Sequence, residues 1–391
     1  MDLMSLTDPT DMPSDIVLSN AAMVVGDEIV RGTLRMADGV ITDIAAGGTT
    51  LPHAVDLDGD YLFPGLIDVH TDYLEKHAMP RAGVLWHPLA AAASYDAAIV
   101  SAGITTVFDS VCVGAMGDDN RLSLLPRMVD GVRQARHDNL LQADHFLHLR
   151  CDCLQPDLAA HLEPYLDDPR VRFLTLMDDS VGRDPDQYRF VMTRRGTVPA
   201  AEIEAAIARY VNSDCKDDGG VARANRQWLL DICGRRGLRI ADHDVTRVEH
   251  ITEAVQHGMT ITEFPLTLAA AEAAKRAAMT VIVGGPNLSL GKSHTGKVSA
   301  RELAWRGLAD IVCSDYIPSS ILHAVFVLCG EDIGMSLPEA IAKATKTPAK
   351  VFGFDDRGDI EVGRKADLIR VRLVDGAPVV RAVWRAGTRI R

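Results

Sequence analysis

From Ile16 to about Leu62 short β-branched runs alternate with turn dipeptides. Val24-Val25-Gly26-Asp27-Glu28-Ile29-Val30 and Met36-Ala37-Asp38-Gly39-Val40-Ile41 each place a Gly-Asp or Asp-Gly pair between apolar stretches. Residues that tolerate positive φ are what tight antiparallel turns demand, so these segments predict β-hairpins. From Pro64 to about Gly353 the texture changes: apolar runs at 65–69, 105–109, 146–152, 172–177, 239–243, 260–263, 280–283 and 310–314 are separated by long, Ala-rich helical stretches. Repeated strand-helix units predict a parallel sheet, and eight of them favour a closed barrel over an open sheet. A last helix is marked by Ser336-Leu337-Pro338-Glu339, which combines an N-cap serine, a first-turn proline and a glutamate placed for a capping box, with Gly353 after the apolar repeat. Hairpin texture then returns in Asp367-Leu368-Ile369-Arg370-Val371 and between Pro378 and Trp384. The expected architecture is α/β: a distorted (β/α)8 TIM barrel over 63–354, flanked by a small β-sandwich domain built from 1–62 and 355–391. The acidic, Gly-containing stretch from Asp214 to Gly220 reads as a mobile insertion.

Composition narrows the function. The chain has 391 residues, 47% hydrophobic and 24% charged, enough to bury a large core. Its formal charge of −13 argues against nucleic acid, whose binding needs a basic patch. No apolar run approaches the roughly 18 to 20 residues of a membrane helix, and the first residues lack the basic-then-apolar layout of a signal peptide, so a cytoplasmic protein without membrane contact is expected. The seven cysteines are scattered and form no C-x-x-C pair, which fits buried free thiols. A homo-oligomer is compatible with all of this.

In a closed parallel barrel the catalytic groups sit at the carboxyl ends of the strands. Those ends are polar here. The first ends in His70-Thr71-Asp72, the third carries His148, Arg150 and Asp152 on one face, and the fourth to sixth end at Asp178, His243 and Glu263, the eighth at Asp315. Residues two apart on a strand point the same way. His70, Asp72, Asp152, His243 and Asp315 are therefore candidate ligands for one or two divalent ions, and imidazole with carboxylate suits zinc, manganese or iron. His148 reads either as a satisfied interior histidine or as a catalytic or substrate contact, and Asp178 as a ligand or a helix cap.

Leu62-Phe63-Pro64-Gly65-Leu66-Ile67-Asp68-Val69-His70 resembles the first barrel strand of the amidohydrolase superfamily, and Gly363-Arg364-Lys365-Ala366-Asp367-Leu368 its return into the β-sandwich. Most members carry His-x-His where this chain has His70-Thr71-Asp72. His70 to Lys76, Pro80-Arg81, Ser101 to Val107, Leu147 to Cys151, Glu263-Phe264-Pro265, Pro286-Asn287, Ser314-Asp315-Tyr316 and Arg381 to Trp384 together resemble the PhnM family of phosphonate catabolism. That resemblance implies a small phosphorylated-sugar substrate, α-D-ribose 1-methylphosphonate 5-triphosphate, hydrolysed to the 5-phosphate and pyrophosphate.

The stretch from Gly284 to Lys297, directly after the seventh strand, has the ingredients to hold phosphate: glycines, hydroxyls and two lysines. Its spacing is one residue too long for a Walker A motif. Asn287, Lys292, Ser293, His294 and Lys297 are candidate phosphate contacts unless this is simply a surface loop; Arg81 and Arg150 are others, unless they are structural ion-pair partners. The expected mechanism has Asp315 orient or deprotonate a water activated by metal held on His70, Asp72, Asp152 and His243. No lysine ends the fourth strand, so a carboxylated lysine bridging two metals is not available there. The rival readings are hydrolysis of a C–N bond within the same superfamily and a non-catalytic barrel scaffold.

Overall fold

The computed structural model describes residues 15–114, 119–196, 198–212, 220–293 and 296–391. The acidic stretch after Asp214, as well as Cys215 and His294, therefore lies outside the described residues, apart from Gly220. The first and last stretches of the described residues build one sheet. The hairpin strands Asp15–Val25, Glu28–Ala37 and Val40–Ala46 continue through Tyr61–Pro64 into Leu368–Val374, Ala377–Arg385 and Thr388–Arg389. Tyr61–Pro64 is the joint: it runs parallel to the first strand and antiparallel to Leu368–Val374. The Asp38-Gly39 turn has φ of 50° and 83°, the positive pair expected of a two-residue hairpin loop. This sheet has its own core, with Leu18, Met23, Leu34, Met36, Ile41 and Trp384.

Eight parallel strands form the second sheet in sequential order: Leu66–Thr71, Ile104–Val113, Asp144–Asp152, Val171–Met177, Arg239–His243, Ile261–Glu263, Thr280–Gly284 and Ile311–Cys313. Each overlaps one of the eight strands expected from the sequence. The last closes on the first at the mouth, where Asp315 N–H donates to His70 O at 2.9 Å and Asp72 N–H donates to Asp315 O at 2.7 Å. Lower down the seam is filled by the backbone at 343–344, with Ile67 N–H donating to Ala344 O at 2.8 Å and Val312 N–H to Lys343 O at 3.1 Å. This explains a departure from the expected single last helix, which is two, Leu337–Ala342 and Lys346–Phe352. Pro348 has no N–H to offer the carbonyl four residues back, so Ala344 O is left to accept from the barrel strand. The capping box at Ser336 and Glu339 is present.

The amino-terminal end of the barrel is plugged by aromatics. Phe352 lies with ring centroids 4.7 Å from Phe108 and 5.2 Å from Phe173. Burying each such ring contributes roughly 1.5–3 kcal/mol, which fixes the floor on which the polar residues stand. Among the described residues no helix is long and apolar enough to cross a membrane.

Candidate metal centre and active-site cavity

Above the aromatic floor lies a sealed polar layer. His148 sits over Phe173 at 4.4 Å between centroids, with Ser110 Oγ 3.0 Å from its Nδ1 and Thr175 Oγ1 2.5 Å from its Nε2. Thr175 Oγ1 donates to Glu263 Oε2 at 2.7 Å, and Glu263 Oε1 lies 2.9 Å from His70 Nδ1. Polar groups this deep need partners, and here the chain supplies them. Burial drives the His148 imidazole down to about 3, so it is neutral. Burial also disfavours a charged His70, but the carboxylates of Glu263 and Asp72 outweigh it and raise that imidazole, so a cation bound at Nε2 would take the place of a proton there.

The next layer is different. The Nε2 atoms of His70 and His243 are buried without a hydrogen-bond partner. Their rings lie 5.8 Å apart, and Phe264 packs edge-on to both at 4.9 and 5.1 Å. His70, Asp72 and Asp315 each offer a ligand atom, all within 4.8 Å of one another, as do His70, His148 and Glu263. The two sets are not equivalent, because the nitrogens of His148 and the oxygens of Glu263 are already engaged. A divalent cation fits the upper set, where unpartnered imidazole nitrogen meets carboxylate, the mixed donor set that suits zinc or manganese. Glu263 then orients His70 from behind, as carboxylates commonly do for ligating histidines.

Backbone strain gathers at this level. Asp244, Phe264 and Asp315, immediately beyond or close to the ends of the fifth, sixth and eighth strands, have φ of 54°, 50° and 55°. Asp tolerates that region, whereas a bulky Phe there is an outlier that the surroundings must enforce. Asp72 is held well below the usual carboxylate range: burial opposes its charge, but Arg150, whose Nη1 lies 2.5 Å away, prevails. Asp315 moves the other way, raised by burial and by the neighbouring Asp72. These groups open into a cavity of about 630 Å³ that, among the described residues, four aspartates (72, 179, 244, 315) and four arginines (121, 150, 194, 195) face.

Proteins of known activity resemble this chain along most of its length. The Amidohydrolase family model matches residues 223–390. The alpha-D-ribose 1-methylphosphonate 5-triphosphate diphosphatase of Escherichia coli (strain K12) is 34% identical over 381 residues, covering 96% of this chain and 100% of its own. The chain belongs to the amidohydrolase family. The PhnM likeness read from the sequence thus extends over the whole of that relative. The imidazolonepropionase of Deinococcus deserti is 25% identical over 402 residues, 95% of this chain and 92% of its own. N-acetylglucosamine-6-phosphate deacetylase from Pasteurella multocida superposes with a TM-score of 0.62 at 13% identity, over 96% of this chain and 99% of its own, and shares the fold.

In this amidohydrolase the candidate residues fall in different places. His70, Asp72, His243 and Asp315 meet at the mouth. Asp152 is buried and, among the described residues, joins neither three-ligand group, although its charge reaches Asp179 on the cavity wall; its Oδ1 accepts from Leu154 N at 3.0 Å, and it lies so close under Gly114 that a Cβ there would be 2.5 Å from its own. Asp178 turns from the cavity to Arg226, at 3.3 Å, while Asp179 faces it. His148 is sealed beneath the mouth. Arg150, Asn287 and Ser293 line the cavity, whereas Arg81, Lys292 and Lys297 are exposed outside its lining. The Gly-rich stretch after the seventh strand is a short helix, Gly285–Leu290, started by Pro286 and ended by Gly291 at φ 69°. Sequence reasoning left the role of Glu263 open and passed over the helix Pro185–Arg195, whose signals are the Asp184-Pro185 start and the Gly196 stop.

Glu263→Gln keeps the shape of the polar layer while removing the charge behind His70. It is expected to weaken zinc or manganese affinity by about 10- to 100-fold, measured by competition with a chromogenic chelator. Unchanged affinity would mean that Glu263 does not act through His70.

Proposed function

We propose that this amidohydrolase hydrolyses α-D-ribose 1-methylphosphonate 5-triphosphate to the 5-phosphate and pyrophosphate, on the substrate named for its E. coli relative. The observation that carries this reading is the cavity itself, which arginines line together with Asp72, His243 and Asp315. Guanidinium groups match phosphate oxygens in planar, paired hydrogen bonds, which a neutral amide substrate would not use.

His70 and His243, with Asp72 and Asp315, would hold the divalent cation, zinc or manganese. When bound, it supplies Lewis acidity toward a phosphoryl oxygen and lowers the pKa of a water. Asp315, raised by its burial beside Asp72, is placed to take the proton of the attacking water. The water oxygen bonds to the α phosphorus, the bridging oxygen to the β phosphorus leaves with its electron pair as pyrophosphate, and the proton passes to Asp315. Arg150, fixed by Asp72, presents positive charge at the floor, and Asn287 and Ser293 offer neutral hydrogen bonds on the wall. Lys292 and Lys297, exposed outside that lining, draw the polyanion toward the mouth through their charge.

Phosphorus NMR of the zinc- or manganese-loaded protein with this substrate should show free pyrophosphate, and a chelator should block it. Silence with that substrate, beside turnover of an N-acyl or cyclic amide, would replace the reading with C–N hydrolysis.

A further inference from the structure

Among the described residues three helices lie between the fourth and fifth barrel strands, and the first two, Pro185–Arg195 and Ala200–Asn212, pack through a small core of their own, with Met192, Ile203 and Ile207 at its centre. The first is fixed at both ends. Asp184 accepts from Asp186 N at 3.0 Å and Gln187 N at 3.3 Å, and Gly196 closes the other end at φ 66°. Arg189 ties it to the second helix through Glu204 at 2.6 Å. Gln187, Phe190, Val191, Arg194 and Arg195 all line the cavity, and their spacing of i, i+3, i+4, i+7 and i+8 is one helix face. A rigid helix face therefore forms one wall and ends in two arginines.

The four cavity arginines are not alike. Arg150 is bound to Asp72, Arg121 to Glu75 at 2.8 Å, and Arg195 to Asp179 at 2.7 Å. Among the described residues Arg194 has no carboxylate or hydrogen-bond partner, while its charge acts on Tyr316, the residue after Asp315. A helix carboxyl end favours a cation by only about 0.3–1 kcal/mol, so the guanidinium of Arg194 remains available to an anion. It stands on the helix wall of the cavity, whereas the cation cluster stands on the strand ends, so an anion long enough to reach from one to the other meets both.

We propose that Arg194 binds the terminal phosphate of the triphosphate arm and that the helix Pro185–Arg195 selects substrates carrying it. This rests on the polyphosphate reading of the cavity, and the test separates the two. A bis-methylene analogue of tripolyphosphate, which cannot be hydrolysed, is titrated by calorimetry into the metal-loaded protein, Arg194→Gln and Arg189→Gln. Arg189 lies on the other side of the same helix and serves as the control for its integrity. Arg194→Gln is expected to bind the analogue about 10- to 100-fold more weakly than the wild type and Arg189→Gln equally well, the loss typical of one charge-assisted hydrogen-bonding group. With the sugar triphosphate, Arg194→Gln should raise KM by a similar factor and change kcat by less than about threefold. Equal affinity in all three proteins, or no binding of the analogue, overturns the assignment of Arg194. Arg194-dependent binding without turnover of the sugar triphosphate supports the assignment and overturns only the proposed substrate.

Discussion

Asp315→Asn is expected to lower kcat by about 100- to 10,000-fold, the range over which a positioned general base contributes, while the barrel stays folded. The side chain is replaced by one of the same shape, and Asn is among the few residues that accept the φ of 55° found at this position. The bonds that close the barrel here, Asp315 N to His70 O and Asp72 N to Asp315 O, are made by backbone and survive the change. What is lost is the proton acceptor and one carboxylate of the cation cluster. Stability should move the other way from activity. Burial and Asp72 raise the Asp315 pKa above its unfolded value, so the ionised carboxylate opposes folding near neutral pH, and a neutral amide relieves that opposition. Steady-state kinetics, metal content and urea unfolding of the variant check this together. A kcat within about threefold of the wild type would remove Asp315 from the chemistry, and a collapsed fold would make it a structural residue.

The barrel and most of its mouth were legible because polar residues at the ends of apolar strands are out of place unless something uses them. His70, Asp72, His243 and Asp315 are such residues, and the strand pattern brought them together without knowledge of the tertiary contacts. The roles of His148 and Glu263 were not legible. Both are metal-competent by type, and only the pairing of His148 with Ser110 and Thr175, and of Glu263 with His70 and Thr175, shows them already satisfied. Asp152 shares its strand face with Arg150, yet its Oδ1 is turned to Leu154 N and it fills the space that a side chain at position 114 would need, neither of which its strand phase encodes. The lysines after the seventh strand drew notice through a motif-like spacing, whereas Pro286 and Gly291 bracket a short helix that leaves them exposed outside the cavity lining. Arg194 and Arg195 read locally as basic residues stabilising a helix carboxyl end. Their position over the cavity depends on how the inserted pair of helices docks, which local pattern does not encode.

His145→Gln is expected to cost about 3–5 kcal/mol of stability near neutral pH, the penalty for breaking a buried ion pair, with little effect on the intrinsic chemistry. His145 lies on the third strand one residue out of phase with His148 and Arg150, so it faces outward to the helix Pro88–Ser101. There its Nδ1 is 3.0 Å from Asp109 and its Nε2 is 3.1 Å from Asp96, both buried. Tyr95 donates to Asp109 at 2.8 Å, and Asp96 accepts from the backbone of Gln142 and Ala143 at 2.9 Å each. One imidazolium thus joins a helix, two barrel strands and the turn entering the third. Burial disfavours its charge, but the two aspartates outweigh that and push it up to about 9 from the ordinary 6.5. The folded-state value is the higher one, so the stabilisation is whole below about pH 6.5 and is lost as pH climbs through about 9. A rise of that size corresponds to roughly 3 kcal/mol, in line with the cost of removing the ring. Urea unfolding of the wild type and His145→Gln across this range should therefore show a wide gap between midpoints at the acid end that narrows toward the alkaline end. A gap that stays constant with pH would mean that His145 is held as a neutral ring, its hydrogen bonds alone tying the helix to the barrel.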